Sequence, residues 1–506
     1  MCIRRGRKED LVETRGRTAP YPGYRGLWVW LMLGWVASGL DRTITGPVVS
    51  YMIDNKVPLF QGVQNPYALG GLVGSLLFAG YALMQFPGGY IGDRFGHRTV
   101  VVISIVWTGV ATVLSGLATA ILGLVALRAI TGLGTGMFYS NDRSIITTQT
   151  PFEKRSLGMG VVITGLSIGI TLAFLTVSPL LGFGSSVFGT GGAWRMPFIV
   201  LGVIALLIGL GMHRFFSGQG EPHRFSPAYP SAFGALIGYA VAFFVIIIAT
   251  YFFAIRAGLP DWGVAVIITV VALALVALVF VRLGGRIGPV LYDRSLFLIY
   301  LAFIPILWNL WFFSFWSVSI VSQAASGSTF LQAALTALFF GLAGIIGYPA
   351  GGWLADYTKR RGWGRKGMLV AFTFIQGVLT LAFSVYVAKG GGALAALGAL
   401  IFFASLFFNA LQPMAQALAA DLTNPAYLGA MFGMMNLIGE MGAILSPSIS
   451  GALRDATGNW HAALFLDTAL IFCGFILLLF VRETRRTRRD DAAEEAAGVP
   501  EYDPRT

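Results

Sequence analysis

Asp41, Arg42, Arg128 and Glu440 are ionisable residues set inside long apolar stretches. An uncompensated charge there costs several kcal/mol or more, so each is a candidate for function. Arg42 lies about 15 residues into its stretch, roughly 22 Å from the end where the chain enters. Arg128 and Glu440 come out at roughly 20 Å from that same side, and Asn309 falls at a similar height. Two guanidinium groups, one carboxylate and one amide thus share a layer. A guanidinium is always charged, and its planar fork grips a carboxylate or phosphate through two parallel hydrogen bonds. A pair of them suits an anion. The competing reading makes each arginine one half of a structural ion pair with Asp41 or Glu440. Adjacent residues on a helix point about 100° apart, so Asp41 and Arg42 cannot share a face. Arg42 needs a partner on another element, or a ligand.

Glu440 and Asp41 are the candidates for proton exchange. A carboxylate that alternates between apolar surroundings and a nearby cation takes up and releases a proton. A fixed pair with an arginine is the alternative for Glu440. Tyr81, Gln85, Asn409, Gln412 and Gln416 also interrupt apolar runs. Their side chains can hydrogen-bond substrate hydroxyls, or simply join neighbouring helices. Arg143 follows Asn141 and Asp142 and is expected to snorkel or to pair locally with Asp142. Asp467 is read as lying near the outer face, where it meets water. The four histidines lack metal-ligand spacing, and no nucleophile triad or phosphate loop is present. Neither catalysis nor a cofactor is expected.

The elements that position these residues follow from composition. Of 506 residues 11% are charged and 56% are hydrophobic, against about 25% charged in soluble domains. Mean hydropathy is +0.74. Soluble, disordered and disulfide-rich secreted chains are excluded, and an all-α polytopic membrane protein remains. Apolar runs of membrane-crossing length fall near 27–53, 67–91, 99–119, 121–148, 157–182, 194–215, 233–255, 262–282, 295–322, 329–353, 367–388, 393–420, 427–450 and 460–481. These make 14 spans. The expected organisation is a basic tail (1–26), a six-helix bundle (27–216), a linker with two extra spans (217–294), a second six-helix bundle (295–482) and a charged tail (483–506).

With the N-terminus inside, cytoplasmic segments hold 27 of the 35 Lys and Arg residues, outer segments hold five, and Arg42, Arg128 and Arg143 lie within spans. Both termini are therefore expected in the cytoplasm. The net charge of +12 is spread over many segments. It reports topology rather than nucleic-acid binding, with membrane lipid as the neighbour. Cys2 and Cys473 are too differently placed to pair. The first apolar run is too long for a cleavable signal peptide.

An internal repeat follows the second span of each bundle. The first copy reads Gly88-Gly89-Tyr90-Ile91-Gly92-Asp93-Arg94-Phe95-Gly96-His97-Arg98. The second reads Gly351-Gly352-Trp353-Leu354-Ala355-Asp356, with Lys359, Arg360 and Arg361 beyond. An Asp there can face the positive N-terminus of a neighbouring helix, and the arginines can pair with carboxylates or lipid phosphate. Asp93, Arg94, Arg98 and Asp356 are thus candidates for a cytoplasmic gate. The alternative is a tight turn whose charge only sets topology. The first copy resembles the cytoplasmic loop motif of the major facilitator superfamily. Arg128-Ala-Ile-Thr-Gly132-Leu-Gly134-Thr-Gly136 resembles its fourth-span motif.

Three further stretches narrow the resemblance. They are Leu40-Asp41-Arg42-Thr43, then Gly80-Tyr81-Ala82-Leu83-Met84-Gln85-Phe86-Pro87, and Phe138-Tyr139-Ser140-Asn141-Asp142-Arg143 with Pro151-Phe152-Glu153-Lys154-Arg155. Together they resemble the anion:cation symporters, which move sugar acids, aromatic acids and other organic anions, often with protons. The resemblance implies two six-helix bundles rocking about a midplane site. It also implies substrate-binding roles for Arg42, Arg128 and Tyr81, and a proton-coupling role for Asp41. The match is good over about residues 27–175 and weaker over 295–482.

There are departures. Those symporters carry a glutamate in mid-span four, where this chain reads Gly132-Leu133-Gly134-Thr135-Gly136. Glu440 stands where relatives often have Asn. Either the proton site has moved to span thirteen or coupling is lost. Fourteen spans are typical of drug:proton exporters of the same superfamily, but the Gly-Pro motif of their fifth span is missing from Gly165-Leu166-Ser167-Ile168-Gly169. The expected function is proton-coupled transport of a small organic anion across a bacterial inner membrane by a monomer. Arg42, Arg128, Tyr81, Asn309, Asn409 and Gln412 would bind the substrate, and Asp41 and Glu440 would carry the proton. A drug exporter and a transport-like sensor are the alternatives.

Overall fold

A computed structural model describes residues 23–151, 154–217, 228–424 and 427–483. Both tails lie almost wholly outside the described residues. The helices are α1 (Tyr24–Asp54), α2 (Pro66–Phe95), α3 (His97–Gly116), α4 (Ile121–Gln149), α5 (Arg155–Phe188), α6 (Arg195–Ser217), α7 (Ala228–Arg256), α8 (Asp261–Leu291), α9 (Arg294–Ala324), α10 (Phe330–Arg360), α11 (Lys366–Ala388), α12 (Leu394–Asp421), α13 (Leu428–Thr457) and α14 (His461–Leu479). Each expected span has its helix. The largest departures are at helix ends: α5, α8, α10 and α13 run six to nine residues beyond the apolar runs. Hydrogen bonding continues past the apolar core because a helix does not end where hydrophobicity does.

Among the described residues, 11 helices are long and apolar enough to cross a membrane, and α8 opens with the apolar stretch Asp261–Leu275. α1 and α13 fall short of that apolarity. They carry Asp41 and Arg42, and Asn436 and Glu440, all buried. α4, with Arg128 and Asp142, and α14, with Asp467, bring buried charge as well.

Packing repeats between the two halves. In the first, α1 packs on α5, α2 on α4 and α3 on α6; in the second, α9 packs on α13, α10 on α12 and α11 on α14. The halves meet mainly through α2 against α13 and α5 against α10. The result is two six-helix bundles with two additional helices, the expected fold class.

Glycine sets how closely the paired helices approach. A Cβ at Gly132 would lie 1.9 Å from the Leu77 carbonyl oxygen, and one at Gly136 2.3 Å from that of Tyr81. The alternate glycines of α4 therefore seat it against the backbone of α2. Gly165 and Gly169 do the same for α5 against α1, where a Cβ would meet the carbonyls of Met32 and Val36 at 2.3 and 2.5 Å.

The two extra helices flank the junction between bundles. α7 packs on α2, α3 and α4, and α8 on α2, α13 and α9. They are joined by a short turn in which Gly258 takes φ +68°. There the Leu259 amide donates to the Ala254 carbonyl at 2.9 Å and the Gly258 amide to Ile255 at 3.0 Å. These two hydrogen bonds close the helix end in the way a left-handed glycine permits.

Gly132→Val should lower the melting temperature of the purified protein, because overpacking a tight crossing costs about 1–3 kcal/mol. Gly123→Ala, whose Cβ would meet nothing within 4 Å, should melt no lower than the parent. Unfolding followed by tryptophan fluorescence checks both.

Candidate functional site

The two central arginines have opposite surroundings. Arg128 of α4 is fully buried and its donors are occupied. One guanidinium nitrogen donates to Asp41 Oδ1 of α1 at 2.8 Å. Others reach the hydroxyls of Ser115 at 2.9 Å, Thr131 at 2.9 Å and Thr112 at 3.3 Å. Thr112 in turn donates to Asp41 Oδ1 at 2.6 Å. Ion pair and hydroxyls form a network among α1, α3 and α4 that engages every Arg128 nitrogen and Asp41 Oδ1, while Asp41 Oδ2 has no partner. Such a pair is stable only when its remaining lone pairs and protons are mostly satisfied.

Arg42 is also buried, at 3% exposure, but it faces aromatic rings. Its guanidinium carbon lies 3.7 Å from the ring centre of Tyr81, 5.4 Å from that of Trp311 and 5.9 Å from that of Trp35. Its Nε and one Nη have no hydrogen-bond partner. Ring quadrupoles stabilise a cation without cancelling its charge. Arg42 therefore keeps free donor edges while Arg128 does not. Its surrounding rings come from both halves: Trp35 and Tyr81 from α1 and α2, Trp311 from α9.

Glu440 of α13 lies in the same centre. Its Oε2 is buried without a partner, and the carboxylate is within electrostatic reach of Arg42 and of Tyr81. One turn earlier on the same helix, Asn436 Nδ2 donates to Gln85 Oε1 of α2 at 2.8 Å, a hydrogen bond between the halves. The structure thus gathers Arg42, Tyr81 and Glu440, with Trp35, Trp311, Gln85 and Asn436 around them.

The other expected site residues are placed differently. Arg128 and Asp41 occupy each other, as in the structural-pair alternative for Arg128. Asn309 of α9 donates to Asp467 Oδ2 of α14 at 2.7 Å. Asp467 is fully buried, not at a watery outer face; its position early in α14 suggested exposure, but α9 and α11 cover it. Asn409 of α12 bonds the Ser405 carbonyl of its own helix at 2.7 Å and packs against Gly344 and Gly347 of α10. Gln412 accepts from the Tyr348 hydroxyl at 2.9 Å. Arg143 pairs with Asp142 at 3.6 Å, as read locally, and Trp35 Nε1 also donates to Asp142, at 2.6 Å.

At the end of the bundle where α1 begins, the motif residues make short-range contacts. Asp93, 75% exposed, pairs with His97 at 3.3 Å. His97 Nδ1 is 2.8 Å from Asn141 Oδ1 of α4, and Arg98 bonds Gln149 of α4. Arg94 lies over the ring of Phe95. In the second copy Asp356 pairs with Arg365 at 2.9 Å, not with the nearer basic run. Arg365 also pairs with Asp421 at 3.1 Å, which holds Lys359 at 2.7 Å. Glu483 accepts the backbone amides of Arg365 and Lys366 at 2.7 and 3.1 Å, so it caps α11.

The opposite end carries a contact that residue types did not reveal. Asp455, near the end of α13, accepts the backbone amides of Tyr67 and Ala68 at 3.3 and 2.7 Å. The N-cap residue of α2, Asn65, makes no side-chain cap, so the other half of the molecule supplies it. Arg454 lies over the Tyr67 ring at 4.8 Å. Close backbone approaches accompany this cap: a Cβ at Gly451 would be 2.1 Å from the Tyr67 carbonyl oxygen, and one at Gly71 2.2 Å from that of Pro447. The halves are laced together at this end. Asp455 follows an arginine at a helix end, a pattern that reads as ordinary surface charge.

The Major Facilitator Superfamily model matches residues 31–331 and 318–502. The D-galactonate transporter of Escherichia coli is 26% identical over 410 residues, covering 80% of this chain and 85% of that protein. The probable sulfoacetate transporter SauU of Cupriavidus necator is 28% identical over 433 residues, covering 85% and 87%. Among solved structures, a bacterial homologue of the human lysosomal transporter Spinster, in an inward-facing and occupied conformation, superposes with TM-score 0.65 at 15% identity, covering 92% of this chain and 97% of that one. A D-xylose–proton symporter gives 0.64 at 16% identity, covering 91% and 99%. Helices of membrane-crossing length, paired six-helix bundles and the family match agree: this integral membrane chain belongs to the Major Facilitator Superfamily.

Proposed function

We propose that the protein is a secondary active transporter of a small organic anion, with Arg42 as the anion-binding group. The observation that carries this reading is the contrast between the arginines. Arg42 is buried and cradled by Tyr81, Trp311 and Trp35 with donors free, whereas Arg128 is tied to Asp41. An unneutralised guanidinium between two bundles attracts a carboxylate or sulfonate and offers it two parallel N–H groups. The names of the D-galactonate and sulfoacetate transporters support this substrate class.

Arg128 and Asp41 act together in this reading. The pair holds α1 against α3 and α4, and so fixes the helix that carries Arg42. Glu440 is the proton carrier of the central site. An anion seated on Arg42 weakens the cation's hold on Glu440 and favours its protonation, which offsets the charge brought in. The end where α1 begins faces the cytoplasm, and Asp455 closes the outer side. Tyr81 and Gln85 line the path to Arg42. A cationic-drug exporter is disfavoured, because the free guanidinium repels a cation.

Arg42→Ala should abolish uptake of sugar acids or small sulfonates into proteoliposomes. Arg42→Lys should recover only part of it, because one ammonium cannot replace the planar fork; full activity in both variants would sink the anion site. Arg128→Ala leaves Asp41 buried and unpaired and should cost about 3–5 kcal/mol of stability. The double change Asp41→Leu with Arg128→Met should melt above that single variant, a cycle read by thermal unfolding. Glu440→Gln should leave substrate exchange intact but remove the response of uptake to a pH gradient. An unchanged response would take Glu440 out of the mechanism.

A further inference from the structure

The polar cores of the two bundles differ in charge. In the first, Asp41 Oδ1 is matched by the Arg128 cation and the hydroxyl of Thr112, although Oδ2 has no partner. In the second, Asp467 is fully buried and accepts one neutral hydrogen bond, from Asn309 Nδ2 at 2.7 Å. Its Oδ1 has no partner. The helices packed on α14 are α9, α11 and α13. α9 brings Asn309. α11 brings Ser384, whose hydroxyl is taken by Thr468 at 3.1 Å and the Leu464 carbonyl at 3.3 Å. The charged residues of α13 are Glu440, Arg454 and Asp455, and none forms an ion pair with Asp467. Among the described residues no Lys, Arg or His does so.

An ionised carboxylate in such a place costs several kcal/mol, and a neighbouring amide does not repay it. A bound proton removes the charge, and with it the largest part of that cost. A metal cation would require several oxygen ligands, whereas the first neighbour of this carboxyl is an N–H donor. Asn309 also lines a cavity between α9, α11 and α12, together with Thr380 and Ser405. The cavity admits about one water molecule, and the rest of its wall is apolar. Asp467 lies about 10 Å from the outer end of its helix, well apart from the cytoplasmic mouth.

We propose that Asp467 and Asn309 form a proton-binding site within the second bundle, separate from the central site at Arg42. Loading neutralises the polar core of that bundle. Release leaves a bare carboxylate that must draw in water or a dipole, so occupancy biases how the bundle packs. The site itself does not depend on which substrate is carried; its part in coupling rests on the transport reading.

Infrared difference spectroscopy of the purified protein in lipid nanodiscs, titrated in pH without substrate, tests the site directly. A protonated-carboxyl C=O band should vanish as pH is raised. Asp467→Asn should lack it, Asn309→Ala should shift it to higher frequency, and Glu440→Gln should retain it. Absence of any band lost in Asp467→Asn, a band that does not change with pH, or a band bleached by sodium at fixed pH would each overturn the proposal. If Asp467→Asn fails to fold, the Asn309→Ala shift assigns the band. In proteoliposomes, Asp467→Asn should lose at least tenfold in pH-gradient-driven accumulation while keeping solute exchange. Unchanged accumulation overturns the coupling role. Loss of exchange only in Arg42→Ala leaves the two sites distinguishable.

Discussion

A cation buried far from water must be stabilised, yet it cannot bind an anion if a carboxylate already neutralises it. The rest of the structure depends on how this conflict is resolved. Arg128 is stabilised by full pairing, and Arg42 by rings that accept its charge without cancelling it. The same residue type is thus fully paired in one place and left with free donors in the other. The difference lies in the residues opposite: a carboxylate in ion-pair contact with hydroxyls around it, or three aromatic rings with the Glu440 carboxylate within electrostatic reach.

Holding those rings in place requires rigid bundles, and the glycine crossings supply that rigidity. α4 lies directly on the backbone of α2, so Tyr81 is carried at a fixed distance from the Arg128 network. α1, seated on α5 by Gly165 and Gly169, carries both Asp41 and Arg42. The second bundle repeats the pairing with different chemistry: where α1 offers an acid to an arginine, α9 offers an amide to an acid. One fold symmetry therefore contains two unequal electrostatic cores.

Helix number and order were legible in the sequence because membrane-length apolar runs leave little choice. The charged residues of the interior were legible for the converse reason: few charges occur there, and each stands out. Pairings were not. Asp41 and Arg128 are 87 residues apart, and the depth of each along its own helix says nothing about rotation toward one neighbour or another. The same ignorance of rotation grouped Asn309 with Arg42 and put Asp467 in water. Asp455 escaped notice because its partners are backbone amides, which no residue pattern displays. Arg365 escaped because it lies beyond a basic run that looked sufficient by itself.

The two added helices have a mechanical consequence. α7 is fastened to the first bundle, while α8 spans the junction and touches both. Any relative rotation of the bundles must then slide α8 along α2 or α13, or wrench it from α7. The turn at Gly258, pinned by two backbone bonds, leaves little slack between them. In the transport cycle proposed above, the pair would resist that rotation, and its apolar outer surface would pass the resistance to lipid. On that reading, bilayer thickness and fluidity would enter the free energy of every rocking step.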